Sequence, residues 1–262
     1  MYAFDYRRPG TLGEADLALK AAPGAKLLAG GQTLIPAMKL RLAEPGNIVD
    51  LGAIGQLKGI SKADGALRIG AMTTHAAVAE SAEVKAAIPG LAALAGGIGD
   101  PHVRNRGTIG GSVANNDPAA DYPAGVLALN ATVHTTKRAI PADQLFTGLF
   151  STALEDNEIV THIDFPVPQS FTYVKFANPA SRYALVGVAV ARTAGGVRVA
   201  VTGAGASGVF RLTDAEKALS ANFSAKALDG VKIDASNLMS DIHAAADYRA
   251  HLIGVMLRRA VG

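Results

Sequence analysis

The chain has 262 residues, of which 49% are hydrophobic, 18% charged and 5% aromatic, with a net charge of +3. It has no cysteine, which excludes disulfides, a cysteine nucleophile, thiolate-ligated zinc and iron–sulfur clusters of ordinary ligation within this chain. The small positive excess is dispersed, apart from Arg258-Arg259, and argues against a nucleic-acid surface. No run approaches the roughly 18 apolar residues of a membrane span, and MYAFDYRRPG lacks the apolar core of a signal peptide, so a cytoplasmic protein is expected.

Leu12, Ala15, Leu17, Ala18 and Leu19 fall near helical spacing. They predict a helix over 12–22, with Thr11 as N-cap and Glu14 three residues on. Pro23-Gly24 stops it. A short apolar strand, Lys26 to Ala29, runs into Gly30-Gly31. TLIPAMKLRL then reads as a short helix and NIVDL (47–51) as a second strand. ALRI (66–69) is strand-like, and Thr73 or Thr74 can cap a continuous helical stretch, HAAVAESAEVKAA. Pro89 begins an alanine-rich helix ending at Gly96-Gly97. A polar, glycine-rich stretch covers 99–121, followed by a helix over 123–129 and strands over 131–135 and 159–165. PVPQS (166–170), with two prolines and a polar tail, is the boundary candidate. Beyond it lie strands over 171–176, 185–192 and 197–202, then a helix-rich end from about 213 to 259. Strands and helices that mix without strict alternation predict an α+β fold.

Two glycine-centred turns carry the candidate chemistry. They are LLAGGQT (27–33) and GTIGGS (107–112). Paired glycines can reach positive φ and leave their N–H groups uncovered, and successive N–H groups facing one way form an anion-binding nest. Thr33 in one turn, and Thr108 or Ser112 in the other, add hydroxyl donors, and a following helix adds its positive end. Two such turns could grip a pyrophosphate from two sides. A formal GxGxxG occurs at Gly203 to Gly208, but VFRLTD does not open a helix, as the dinucleotide fingerprint requires. The six histidines, at 75, 102, 134, 162, 243 and 251, show no HxH or HExxH spacing, so no metal site is expected. Asp117 reads as a turn cap before Pro118. A carboxylate beside a nest would repel phosphate, so Asp117 or Asp121 suits a ribose or ribityl hydroxyl better.

AGGQTLIPAMKLRLAEPGNIVDL, GAMTTHAAV and DPHVRNRGTIGGSVANNDPAADYPA, in that order, resemble the flavin-binding medium subunit of the molybdenum hydroxylases. That group holds aerobic carbon monoxide dehydrogenase and bacterial xanthine-dehydrogenase-type enzymes. The resemblance runs to the ending YRAHLIGVMLRRAV. It implies an α+β chain with a two-subdomain FAD-binding domain of the PCMH-like type over 1–168 (subdomains about 1–52 and 53–168). A smaller C-terminal α+β domain with an antiparallel sheet would follow over 169–262.

The resemblance implies FAD as cofactor. Leu28, Ala29, Gly30, Gly31, Gln32, Thr33 and Leu34 would lie on one side of its pyrophosphate. Thr108, Ile109, Gly110, Gly111 and Ser112 would lie on the other. Ile98 and Val160 match apolar contacts, Asp121 an acidic residue near the cofactor, and Lys175 a basic residue on the first strand of the C-terminal domain. Tyr183 matches a tyrosine near the isoalloxazine ring; no firm catalytic residue and no metal ligand are implied. Thr33 stands where relatives usually have Ser, and Ser112 where many have Asn. The implied role is electron transfer between a small partner with two [2Fe–2S] clusters and an acceptor. A large molybdopterin-binding partner would oxidise the substrate, in a dimer of heterotrimers. Two other readings stay open: a stand-alone FAD-dependent reductase on a related fold, and a non-redox nucleotide-binding module.

Overall fold

The computed structural model describes residues 1–262. The chain opens with β1 (Asp5–Arg7), α1 (Leu12–Ala21), β2 (Lys26–Leu28), α2 (Leu34–Lys39) and β3 (Asn47–Asp50). The strands form a parallel sheet in the order β1-β3-β2. The Thr11 hydroxyl caps α1 by accepting from the Glu14 N–H at 3.2 Å. Glu14 returns to the Gly10 N–H at 2.7 Å, one residue outside the expected capping box. Ala15, Ala18 and Leu19 bury the helix face against Val49, Leu51 and Ile54.

The second unit begins with β4 (Ile60–Ala63) and β5 (Ala66–Gly70) and continues through six helices. These are α3 (His75–Glu80), α4 (Ala82–Ala87), α5 (Pro89–Gly96), α6 (Pro101–Arg104), α7 (Ile109–Asn115) and α8 (Tyr122–Ala128). Then come β6 (Thr132–Thr135), β7 (Ala139–Pro141), α9 (Ala142–Leu145), β8 (Phe146–Gly148), β9 (Ser151–Thr152) and β10 (Val160–Pro166). An antiparallel five-stranded sheet, β4-β5-β10-β6-β7, packs one face on the helices around a core of 30 buried residues. Two expectations need correction. The helical run 75–87 breaks at Ser81, whose ψ of 129° leaves the helix and whose hydroxyl caps α4 at the Val84 N–H. The stretch 99–121 holds two helices, and α7 starts inside the glycine motif, so Gly110 and Gly111 belong to its first turn.

The third unit contains β11 (Ser170–Ala177), β12 (Ala184–Thr193), β13 (Gly196–Thr202), β14 (Phe210–Arg211), α10 (Thr213–Ala221) and α11 (Ala246–Val261). The strands form an antiparallel sheet in sequence order. Both faces of β12 are covered. Val186, Val188 and Val190 pack toward α10 and α11, while Ala189 and Ala191 join the core of the second unit. A strand buried on both faces has no polar alternation, which explains the run LVGVAVA. The expected helix-rich end holds α10, a single 3-10 turn (Ala225–Leu228) and α11, with an irregular segment between the last two. Buried Arg249 ties that end down by donating to Leu185 O, Gly203 O and Asp241 Oδ2 at 2.6–2.7 Å. Gly203, at φ +81°, lies so close to Ala184 O that a Cβ would come within 2.4 Å. The GxGxxG string leads into β14, so its glycines serve a tight strand connection.

Candidate functional site

A cleft of about 610 Å³ lies where the three units meet, within the range of small-molecule sites. One rim is the segment 29–34, which joins β2 to α2. The N–H groups of Ala29, Gly30, Gly31, Gln32, Thr33 and Leu34 donate to no other group of the chain. Of these six residues Gly31 is buried, Ala29, Gly30 and Leu34 are half-buried, and Gln32 and Thr33 are exposed; six consecutive free donors beside a cleft are the arrangement that an anion-binding nest requires. Gly31 has φ +72°, a conformation that a side chain disfavours. The Thr33 hydroxyl caps no helix N–H and is free to donate.

GTIGGS is built differently from the expectation. Only Gly31 among the four paired glycines has positive φ. The Ile109 N–H donates to Thr73 O at 3.1 Å and the Gly110 N–H to Ala71 O at 2.9 Å. The Thr108 hydroxyl caps α7 by accepting from the Gly111 N–H at 3.2 Å. This segment therefore spends most of its amides on its own fold and offers the Thr108 and Ser112 hydroxyls to the cleft. Its glycines are needed for close packing. A Cβ on Gly30 would lie 2.2 Å from Arg106 O, one on Gly110 2.7 Å from Ala71 O, and one on Gly111 3.3 Å from the Ala29 Cβ. The two glycine segments thus touch, backbone against backbone.

Ala29 to Leu34, Ile98, Thr108, Gly110 to Ser112, Asp121, Val160 and Tyr183 all line the cleft. Leu28 and Ile109 do not; Ile109 points into the core of the second unit. Lys175 does not line it either. Its three ammonium protons go to Gly97 O at 2.8 Å, Arg182 O at 3.0 Å and Asp121 Oδ2 at 3.2 Å. Asp121 is 4% exposed and also accepts from the Tyr173 hydroxyl. Burial pushes its pKa up, and Lys175 and Tyr173 only partly offset that. Asp121 and Lys175 thus join α8 to β11 beneath the cleft. Asp117 caps its own turn by accepting from the Ala119 N–H at 2.9 Å, as the sequence suggests, and it also lines the cleft.

Several lining residues escaped the sequence reading. His75, buried at the start of α3, has an unpartnered Nδ1. Burial, with the charge of Arg104 adding to it, lowers its pKa to about 4, so it is neutral. Burial works to raise Glu158. Hydrogen bonds from Arg138, the Glu155 N–H and Thr135 outweigh it and bring the pKa down to about 2. Arg182, at φ +61°, precedes Tyr183, and both exposed residues line the cleft. Tyr183 is 45% exposed, and its hydroxyl is shifted up by burial and by Asp117 and Asp121. The motif GAMTTHAAV was the available signal for His75. Glu158 had none, since its partners on β6 and beyond come from distant sequence.

Residues 2–168 match the family model described as the FAD binding domain in molybdopterin dehydrogenase. The nicotine 6-hydroxylase medium subunit of Paenarthrobacter nicotinovorans is 35% identical, with 99% of this chain and 96% of that one aligned. The carbon monoxide dehydrogenase medium chain of Hydrogenophaga pseudoflava is 34% identical, over 98% and 96% of the two chains. A chain of reconstituted CO dehydrogenase from Oligotropha carboxidovorans superimposes with a TM-score of 0.92 at 35% identity, covering 100% of this chain and 98% of that one.

Proposed function

This chain belongs to the family of FAD-binding domains of molybdopterin dehydrogenases, and from that premise we propose how its cleft serves electron transfer. FAD is its cofactor. The observation that carries the site assignment is the row of six unpartnered N–H groups from Ala29 to Leu34. They would hold the pyrophosphate, with the Thr33, Thr108 and Ser112 hydroxyls as further donors. Ile98, Val160, Leu27 and Met72 would exclude water from the flavin's apolar surfaces. Asp121 and Lys175 act indirectly, keeping β11 and the segment 178–183 against the second unit. When bound, the flavin supplies the redox chemistry, and the protein supplies binding, orientation and tuning. Tyr183 and Arg182 are exposed lining residues, where an acceptor could reach the flavin. No proton-transferring side chain is required.

The same proposal gives the chain a small [2Fe–2S] partner as electron donor and a large molybdopterin-binding partner as the site of substrate oxidation, in a dimer of heterotrimers. Relatives named medium subunits and medium chains support this, as does the absence of cysteine, which places any cluster in another chain. The domain division proposed is 1–168 and 169–262, supported by the extent of the family match and the separate core around α10 and α11. No helix is long and apolar enough to cross a membrane; a cytoplasmic location is part of the proposal. The test is the visible absorption of the purified chain with FAD, alone and co-expressed with its partners. A flavin band, without NADH oxidation by the chain alone, is expected. Robust turnover alone would indicate an independent reductase, and no flavin under any condition would overturn the site.

A further inference from the structure

On the outer face of the five-stranded sheet, away from the helical core, three potential ligands converge. Ile163 and Phe165 of β10, Val133 of β6, and Leu67 and Ile69 of β5 point into the core. Strand alternation therefore sends His162, Asp164, His134 and Arg68 to the opposite face. His162 pairs directly with His134 across the β10–β6 ladder. Their rings stack at 4.3 Å between centroids, with planes 9° apart. Asp164 Oδ2 lies 3.2 Å from His134 Nε2 and 4.0 Å from His162 Nε2. One ligand atom from each of the three residues falls within 4.8 Å of the others.

The Thr161 hydroxyl lies 3.1 Å from His134 O, to which it can donate, and 3.0 Å from His162 Nδ1. With its proton on His134 O it accepts from Nδ1–H, the tautomer that leaves Nε2 with a lone pair. Nε2 is enclosed and has no hydrogen-bond partner. A hydrogen bond at the far nitrogen that orients the ring is the usual outer support of a metal-ligating histidine. Asp164 has equivalent support from Arg68, which donates to both carboxylate oxygens at 2.8 Å.

We propose that His134 Nε2, His162 Nε2 and Asp164 Oδ2 bind one divalent cation of the zinc class. Two imidazoles and one carboxylate, with the fourth position open to water, are a common zinc donor set. The cation would cross-link β6 to β10 and displace any proton on His134 Nε2. The positive Arg68 beside it opposes a dication, so the site is weaker than a closed structural zinc site. HxH and HExxH spacings do not reveal it, because the ligands meet across paired strands.

The test is a titration of the full-length, FAD-loaded, chelator-treated chain with Zn²⁺ by calorimetry, and with Co²⁺ by absorption. Saturation at one equivalent is expected, with a rise in Tm on adding zinc. His162→Asn and His134→Gln should each weaken binding by more than the roughly tenfold that loss of an outer-shell partner alone costs a metal site, while flavin absorbance stays unchanged. Absence of saturable binding, or undiminished affinity in both variants, would overturn the site and assign any zinc to exposed histidines elsewhere. Should a variant unfold, the wild-type Co²⁺ spectrum decides: ligand-field bands saturating at one equivalent support the site, and their absence refutes it.

Discussion

Replacing Gly30 by alanine probes the contact between the two glycine segments. The new Cβ would sit 2.2 Å from Arg106 O and 2.7 Å from the Gly107 Cα. Favourable carbon contacts lie near 3.5–4.0 Å, so the segments must separate by on the order of 1 Å. The obstructing atoms are backbone, and no rotamer change relieves them. Overpacking of this kind costs about 1–3 kcal/mol. In a chain of this size each kcal/mol lowers Tm by about 2–4 °C, so a fall of about 2–12 °C is expected. The displaced segment carries the six free N–H groups, so whatever part of the strain its displacement relieves returns when FAD draws it back, weakening binding by up to about 150-fold. Thermal melts and FAD titration by flavin fluorescence measure both. Gly46→Ala, where a Cβ meets open space, is the control. If Gly30→Ala matches the control in both assays, the packing argument is wrong.

Gly111→Asp, which places a carboxylate beside Ala29 and the Thr108 hydroxyl, should abolish FAD retention through gel filtration; full occupancy would mean GTIGGS does not face phosphate. Lys175→Met strands the buried Asp121 carboxylate and should cost about 3–5 kcal/mol in urea unfolding. Adding Asp121→Asn should restore part of that loss, and full additivity would show that the two groups are not coupled. His75 has a depressed pKa, so its contribution to stability is complete above about 6.5 and is lost as pH falls through about 4; His75→Asn should flatten the urea midpoint over that window. Glu158 is likewise depressed, contributing above about pH 4.5 and losing that contribution toward about pH 2. In Glu158→Gln the acid limb should be shallower, and an unchanged limb would locate the acid transition in other carboxylates.

Local pattern carried much of the architecture. Thr11 and the periodicity after it marked α1, and Pro89 with Gly96-Gly97 marked α5. The strands of the third unit stood out as β-branched runs between turns. The edge strands β1 (DYR) and β4 (ISKA) were missed because they carry few apolar residues, whereas the equally short β2 and β3 stood out by Leu27-Leu28 and Ile48-Val49. Ser81 was missed as a break because alanine-rich sequence on both sides favours helix, and only the cap at Val84 reveals the restart.

Within the site, composition and order of motifs identified which segments matter: Gly30-Gly31, GTIGGS and the acidic residues after it are visible as strings. What the two glycine segments do with their amides was decided by tertiary contacts. Ala71 and Thr73 occupy the amides of Gly110 and Ile109, while nothing occupies those of 29–34. The same holds for Lys175, whose protons are consumed by Gly97, Arg182 and Asp121. It holds for His134, His162 and Asp164, which strand pairing brings together. Local sequence sets backbone preference and the supply of donors. Whether a donor remains free depends on which acceptor the rest of the fold brings within about 3 Å, and that acceptor comes from residues distant in the chain.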